Sequence, residues 1–293
     1  MEGKSEEKQR FSTKWGLILS VLGIAIGTGN IWRFPRIAAQ NGGEAGAGAF
    51  LVAWVSFLFL WSIPLIIAEY GIGKKGRRGI VGSYVAIAGK NKAWMGAFIG
   101  LVATAIMFYY SVVAGWCLYY LSQSLQSGLP NSYEQAMGVW NSFHAQGIPV
   151  FTHGIVMLLG SWVVIKGISS IEKVNKILIP LLFTILLVSL VKAISLPGSW
   201  EGIRYLFTPD WNTLTEPRIW LEALTQNAWD TGAAWGLILT YAAYMRTHDR
   251  ITVSAFQTGI GNNVISLVAA IIIFSTVFGT LGDSMSNAEI LKI

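Results

Sequence analysis

Seven stretches of this chain are apolar for long enough to cross a lipid bilayer, and they constrain its fold more than any other feature. They lie near residues 15–39, 48–70, 94–122, 150–167, 174–195, 218–242 and 251–281. A hydrocarbon core of roughly 30 Å needs about 20 residues of helix, and lipid offers no partner to an unpaired backbone amide. The expected fold class is therefore all-α, a polytopic membrane protein of about seven helices. Composition agrees, since 53% of the 293 residues are hydrophobic and 12% charged, too apolar for a soluble domain. The net charge of +6 resides in short links between the apolar runs, so it speaks for topology and not for a nucleic-acid partner. Cys117 stands alone inside an apolar run, which leaves no disulfide framework and no CxxC metal site.

Orientation follows from where the basic residues fall. The tail carries Lys4, Lys8, Arg10 and Lys14; the second link Lys74, Lys75, Arg77, Arg78, Lys90 and Lys92; the fourth Lys166, Lys173 and Lys176; the sixth Arg246 and Arg250. The third link has none and the fifth only Arg204. Residues 1–14 are expected to form a cytoplasmic N-terminal tail, 15–195 a unit of five helices, 196–217 an external link, 218–281 two further helices and 282–293 an external C-terminal segment. The first apolar run is too long and too glycine-rich for a cleaved signal, so the tail is read as retained. The expected location is the cell membrane, with multiple passes and a cytoplasmic N-terminus.

Two spans look broken. LGIAIGTGNIWRFP in the first combines Gly23, Gly27 and Gly29 with Asn30, Arg33 and Pro35. Backbone released from helical bonds at that depth must find protein, water or ions; alternatively, Gly23 and Gly27 form a packing face and Asn30 bonds a neighbouring helix. QNAWDTGAAWGL in the sixth puts Gln226, Asn227 and Asp230 in mid-span, followed by Gly232 and Gly236. A carboxylate at the bilayer centre costs about 2.5–3.5 kcal/mol on insertion scales and marks an ion or proton path by default, a structural ion pair being the alternative. Arg33 and Arg36 lie toward the external end of the first span and do not obviously reach it. Spans one and six are five helices apart, as an inverted repeat of five would place them, and interrupted helices at matching positions point to a transporter's central site.

Those segments carry a resemblance. KWGLILSVLGIAIGTGNIWRFPRIAAQNGG with GAF, IPLIIAEYGIGKKGRRG, FYYSVVAGWCLYYL, TQNAWDTGAAWGLILTYAAYM and ITVSAFQTGIGNN, in that order and at helix-scale spacing, resemble the neurotransmitter:sodium symporter family of LeuT-type transporters. The resemblance runs from about residue 10 to 281. It implies a LeuT-type fold with the first inverted repeat complete in spans one to five and the second partial in spans six and seven. It also implies a sodium-coupled symporter of an amino acid, not an enzyme, with substrate and sodium held at the broken first and sixth spans. On the family pattern, the Ala25 carbonyl with the side chains of Asn30, Asn262 and Asp230 would form a first sodium site, and the Gly23 and Ile26 carbonyls one side of a second. Hard oxygen ligands suit that cation.

The same resemblance places Gly27 where monoamine carriers have an acidic residue, which favours an amino acid carrying its own carboxylate. Tyr110 matches the tyrosine that holds that carboxylate and Trp229 its aromatic partner; read from the residues alone, both could equally be interfacial or core aromatics. Ile24, Ile106, Gly232 and Trp235 would line the side-chain pocket. Of the chloride ligands of some members, Gln226, Asn262 and Ser266 match, whereas Trp54 and Asp230 do not, which implies chloride independence. Arg33 matches an external gate arginine, and Lys8 with Phe11 occupies the place of an internal gate.

The chain departs from the pattern in two places. NGGEAGAGAF carries four extra residues at the entry to the second span, expected to lengthen that helix by about one turn. The sequence given ends just past the seventh span, before an eighth helix that would supply a wall of the cavity and the rest of the second sodium site. A non-transporting membrane protein or interaction partner that keeps the family fold is therefore the alternative. A polar wall at Asn30, Asp230 and Asn262 facing lipid would need cover, so a homo-oligomer is expected under either reading. His144, His153 and His248 show no metal-ligand spacing, and Glu69 and Asp283 read as interfacial or gating groups.

Overall fold

The computed structural model describes residues 10–130, 132–145 and 147–281, and these are almost entirely helical. Most of the expected tail, with Lys8, and the segment 282–293, with Asp283, lie outside the described residues. In chain order the helices are α1 (Lys14–Ala25), α2 (Phe34–Gln40), α3 (Gly48–Phe57), α4 (Ile63–Gly76), α5 (Ile80–Ala88), α6 (Ala93–Ser127) and α7 (Tyr133–Ala145). There follow α8 (Ile148–Ile165), α9 (Ile168–Ile194), α10 (Ser199–Phe207), α11 (Pro217–Asp230), α12 (Leu237–Ala242) and α13 (Ile251–Leu281). Single π-helical turns at Gly29–Arg33 and Leu58–Ser62 join α1 to α2 and α3 to α4.

Among the described residues, five continuous helical stretches are long and apolar enough to cross a bilayer, namely Gly48–Gly76, Lys90–Ser127, Ile148–Ile165, Ile168–Ile194 and Ile251–Leu281. A sixth is the pair Lys14–Ala25 and Gly29–Gln40, bent by 57°. The expected span at 218–242 is divided into α11 and α12, and neither piece is long enough to cross alone. A count of seven thus depends on taking that divided stretch as one crossing.

The second span shows how sequence sets local geometry. Pro64 lies at the start of α4, lacks an amide hydrogen and crowds the preceding turn; the π-helical turn at Leu58–Ser62 absorbs the mismatch immediately before it. The four extra residues at its entry do not lengthen the helix. Residues 41–47 are non-helical and α3 begins at Gly48. Gly46, at φ +156°, would drive a β-carbon to 2.4 Å from the carbonyls of Tyr205 and Thr208. The loop is instead sewn to the α10 region: the Ala47 amide donates to the Tyr205 carbonyl at 2.9 Å and the Tyr205 hydroxyl to the Gly43 carbonyl at 3.0 Å.

Packing falls into levels. Phe34, Phe50, Trp54, Leu206, Phe274 and Phe278 form one buried apolar cluster. Phe11, Leu17, Ile66, Tyr70, Ile238 and Met245 form another, and Ile18, Leu22, Ile26, Leu186 and Ile265 a third beside α9. Along the second span the π-helical turn separates Trp54 from Ile66, and along α13 the segment Asn262–Ser266 separates Ala255 from Ala270. The buried polar residues Asn30, Ser62, Asp230, Asn262 and Ser266 fall between these apolar clusters along their spans. By contrast α6 is largely uncovered, its buried residues being Gly96, Ser111, Gly115 and Tyr119.

Candidate functional site: two helix breaks facing one another

Helix α1 stops at Ala25 because the amides that would continue it are directed elsewhere. Ile26 is extended, with ψ 115°. The Gly27 amide donates to Asn30 Oδ1 at 2.9 Å, and the Asn30 amide to the Gly27 carbonyl at 3.2 Å. In a continuous helix those two amides would have served the carbonyls of Gly23 and Ile26. Both carbonyls thereby lose their helical donors, which is the condition under which backbone oxygen becomes available to a cation. Gly23 also packs closely, as a β-carbon there would lie 2.8 Å from Asn175 Oδ1 on α9. The packing role holds for Gly23, whereas Gly27 lies beyond the helix end.

The second break follows Asp230, the last residue of α11. Gly232, Ala234 and Gly236 all take left-handed backbone, at φ +60°, +70° and +76°; for Ala234, which has a β-carbon, that conformation costs about 1–2 kcal/mol. The buried Glu69 makes the break tolerable. Its carboxylate accepts the Gly236 amide at 3.1 Å and the Leu239 amide at 2.9 Å, capping the first turn of α12. Glu69 is thus a structural anchor and not an interfacial or gating group. Around it Thr231 donates to the Asn227 carbonyl at 2.8 Å and to Ser62 Oγ at 3.2 Å. The π-helical turn of the second span therefore faces the sixth span's break.

Asn30, Asp230 and Asn262 are brought together, all buried. Asn30 Nδ2 donates to Asn262 Oδ1 at 2.9 Å and to Ser266 Oγ at 2.8 Å, and Ser266 donates to Asp230 Oδ2 at 3.1 Å. Gln226 Nε2 donates to Asp230 Oδ1 at 2.6 Å and to the Gly29 carbonyl at 3.2 Å. The Arg33 guanidinium donates to Gln226 Oε1, so the arginine expected to fall short of the midplane reaches Asp230 through one intervening amide. Gly29 has to be glycine, since a β-carbon would sit 2.8 Å from Trp229 Cδ1 and 2.9 Å from Asp230 Oδ1. Trp54 turns its ring onto Phe34, centroids 4.3 Å apart, and gives the region only its carbonyl, which accepts from Asn227 Nδ2 at 2.7 Å.

Beside this network lies an aromatic cluster. Tyr110 on α6 stacks on Trp229 with centroids 6.4 Å apart, and Trp229 meets Trp235 edge-on at 5.4 Å. Gly27 abuts Tyr110, where an added β-carbon would make ordinary contact at 3.5 Å. Thr28 Oγ1 lies 3.5 Å from the Tyr110 hydroxyl. Gly232 faces Trp235, at 3.9 Å from an added β-carbon. Ile106 lies one turn before Tyr110 on α6 and Ile24 in the last turn of α1, both half-buried. At the end of the bundle carrying the N-terminus, Phe11 is buried, with its amide on the Tyr244 carbonyl at 3.2 Å. Glu69, Ser62 and Thr231 are the members of the site that sequence reasoning missed. The signal for Glu69 was its position inside an apolar run.

An all-α membrane protein with two interrupted helices apposed around buried carboxylate and amide groups defines the LeuT-type class of fold. A solved structure, MhsT in complex with L-phenylalanine, matches 97% of this chain with a TM-score of 0.83 and 31% identity, over 64% of that protein. The profile of the sodium:neurotransmitter symporter family matches residues 8–148 and 148–292, and the chain belongs to that family, whose members are transporters and not enzymes. It is 33% identical over 286 residues to an uncharacterised sodium-dependent transporter of Methanocaldococcus jannaschii, covering 94% of this chain and 56% of the relative. It is 30% identical over 308 residues to the sodium-dependent neutral amino acid transporter B(0)AT2 of Pongo abelii, covering 94% and 41%. The chain spans about half the length of these curated relatives.

Proposed function

We propose that the chain provides the substrate and sodium half of a sodium-coupled amino-acid symporter. The observation that carries this reading is the link from Asn30 through Ser266 to Asp230, which joins both helix breaks at one buried level. The C-terminal ends of α1 and α11 converge there, each with partial negative charge from its helix dipole, and Asp230 adds a carboxyl group that a bound cation would hold ionised. A monovalent cation with a preference for oxygen neutralises that arrangement. Ala25, through its carbonyl, with Asn30, Asn262 and Asp230 would hold the first sodium, and the Gly23 and Ile26 carbonyls would give one side of a second. Rotating the Asn30 or Asn262 amide exchanges donor for acceptor without moving the backbone, so both can turn oxygen toward an ion.

The substrate would lie against Gly27, with its carboxylate toward the Tyr110 hydroxyl and the sodium. Its side chain would lie among Ile24, Ile106, Trp229, Gly232 and Trp235. The name of B(0)AT2 specifies neutral amino acids and MhsT was solved with L-phenylalanine; an uncharged amino acid is the corresponding proposal here, with the opening at Gly232 partly filled by Trp235. Arg33 would act as an external gate and Lys8 as part of an internal one. Asp230 stands where chloride-dependent members need no fixed charge, and a second anion a few ångströms from it would be strongly repelled, so coupling would be independent of chloride. The proposed arrangement is residues 15–195 as a first five-helix repeat and 218–281 as part of a second, with a cytoplasmic N-terminus in the cell membrane.

The uncovered surface of α6 favours a second reading, a non-transporting membrane protein that uses the family fold to bind another copy or a partner. Equilibrium binding of a mixed pool of uncharged amino acids in sodium against potassium separates the two. The first reading requires sodium-dependent binding, and the second none.

A further inference from the structure

At the end of the bundle that carries the N-terminus, Arg10, Arg77 and Arg78 line a cavity of about 270 Å³ whose other wall includes Thr240, Ala243 and Tyr244. Three separate elements meet there: the strand of chain entering α1, the exit from α4 and the second half of the broken sixth span. Arg77 is in the left-handed region at φ 52° and closes α4 with its amide on the Gly73 carbonyl at 3.0 Å. That backbone turn sends its guanidinium to the Ala243 carbonyl at 3.1 Å and to the Met245 carbonyl. Arg10 is held by Thr247 Oγ1 at 3.3 Å. Arg77 and Arg10 are therefore positioned by neutral oxygens.

Among the described residues the ion pairs are Lys176–Glu172 and Arg246–Asp249, and none of the three arginines has a carboxylate partner. Burial, and then the charge of Arg10, hold the Arg77 guanidinium below its ordinary pKa. Like charges are thus kept close with no carboxylate among the described residues paired to them, an arrangement that an anion relieves. Next to the cavity, and sharing Arg77 with it, runs an open groove of about 700 Å³. Ala68, Ile72, Ile87 and Ile251 give it an apolar wall, and Lys74 and Lys75 stand along it. A free phosphate ion would use the cavity and leave the groove unused. A lipid would use both.

We propose that these adjoining hollows bind an anionic phospholipid of the neighbouring leaflet, with its phosphate among Arg10, Arg77 and Arg78 and an acyl chain along the apolar groove. Bound there, the lipid ties the entry to α1 and the exit from α4 to the second half of the sixth span. This site is separate from the proposed sodium site and stands or falls independently of it.

The test is native mass spectrometry together with thermal unfolding of the purified full chain in detergent. Phosphatidic acid, phosphatidylcholine and inorganic phosphate are titrated separately at matched ionic strength. The expected result is a retained phosphatidic acid adduct, a rise in Tm with that lipid alone, and roughly tenfold weaker retention in Arg78→Gln, the loss of one charge-assisted contact. Arg78 makes no guanidinium hydrogen bond among the described residues, so an unchanged lipid-free Tm shows that the variant is folded. Ile72→Ser should weaken the lipid without affecting inorganic phosphate. Equal retention of phosphatidylcholine, or no effect of Arg78→Gln, overturns the site. Inorganic phosphate binding as tightly as the lipid overturns the groove assignment. Binding that arises only when Glu6 and Glu7 are replaced by Gln assigns the arginines to the chain's own tail and also overturns the proposal.

Discussion

Asn30 and Asp230, on the two opposed helix breaks, are joined through a single hydroxyl: Ser266 accepts from Asn30 Nδ2 at 2.8 Å and donates to Asp230 Oδ2 at 3.1 Å. Because Ser266 belongs to α13, the seventh span sets the distance between the breaks. Ser266→Ala leaves Asp230 Oδ2 and one Asn30 donor without that partner in a buried setting, at a cost of about 1–3 kcal/mol. Thermal unfolding in detergent should show a lowered Tm, with Ser266→Thr recovering part of the loss. An Ala variant that melts with the parent protein contradicts the bridging role.

Glu69 holds the second break by accepting the amides of Gly236 and Leu239. Leaving those two buried amides without an acceptor costs about 1–3 kcal/mol each, so Glu69→Ala is expected to release α12 before the rest of the fold. Hydrogen exchange read by mass spectrometry should accelerate across residues 236–242, while α9 keeps its protection. Uniform exchange throughout the chain would show that Glu69 stabilises the fold globally and not this break.

Two glycines three residues or fewer apart from Asn30 should respond differently to the same change. Gly29→Ala has no room, with Trp229 Cδ1 and Asp230 Oδ1 both under 3 Å from the added carbon, so poor folding yield or a large drop in Tm is expected. Gly27→Ala adds an ordinary contact to Tyr110. It should fold and, under the proposed function, weaken substrate binding without affecting stability. Equal tolerance of both changes contradicts the close approach of the two breaks.

The turn after α12 is pinned by Asp249, which receives Arg246 at 2.9 Å. Burial pushes the Asp249 carboxyl upward, but the hydrogen bonds and charge of Arg246 outweigh it and hold the group below its ordinary value of 3.8. A depressed carboxylate contributes stability that is present above the unfolded value and lost as pH falls through the folded one. Melting temperatures should therefore be insensitive to this group between pH 7 and 5 and fall below about pH 4. Asp249→Asn should be less stable at pH 7 and lose part of that acid sensitivity. An identical acid profile in the variant would remove Asp249 from the account.

The helical class and both breaks were legible because polar residues in apolar runs carry a large and local signal, whereas the convergence of Asn30, Asp230 and Asn262 was implied only by the family resemblance. The cost of a charge in a membrane span identified Asp230. The same rule applies to Glu69, but its place near a basic link suggested an interfacial group, and only the fold shows the amides it caps. Arg33 was judged too distant because sequence spacing does not reveal a relay; Gln226, one turn before Asp230 on α11, supplies it. The loop 41–47 escaped for a related reason. Four extra residues fit a helical turn by number, yet the hydrogen bonds of Ala47 to Tyr205 and of Gly48 to Thr208 are contacts between segments about 160 residues apart, beyond any local pattern.

The most direct test of the central claim is equilibrium binding of radiolabelled L-phenylalanine and other uncharged amino acids to the purified chain, in sodium against potassium and with or without chloride, with Asp230→Asn alongside. The account predicts binding that needs sodium, persists when chloride is replaced, and is lost in Asp230→Asn although that variant remains folded. Binding of equal strength in potassium, or full sodium-dependent binding by Asp230→Asn, would contradict it.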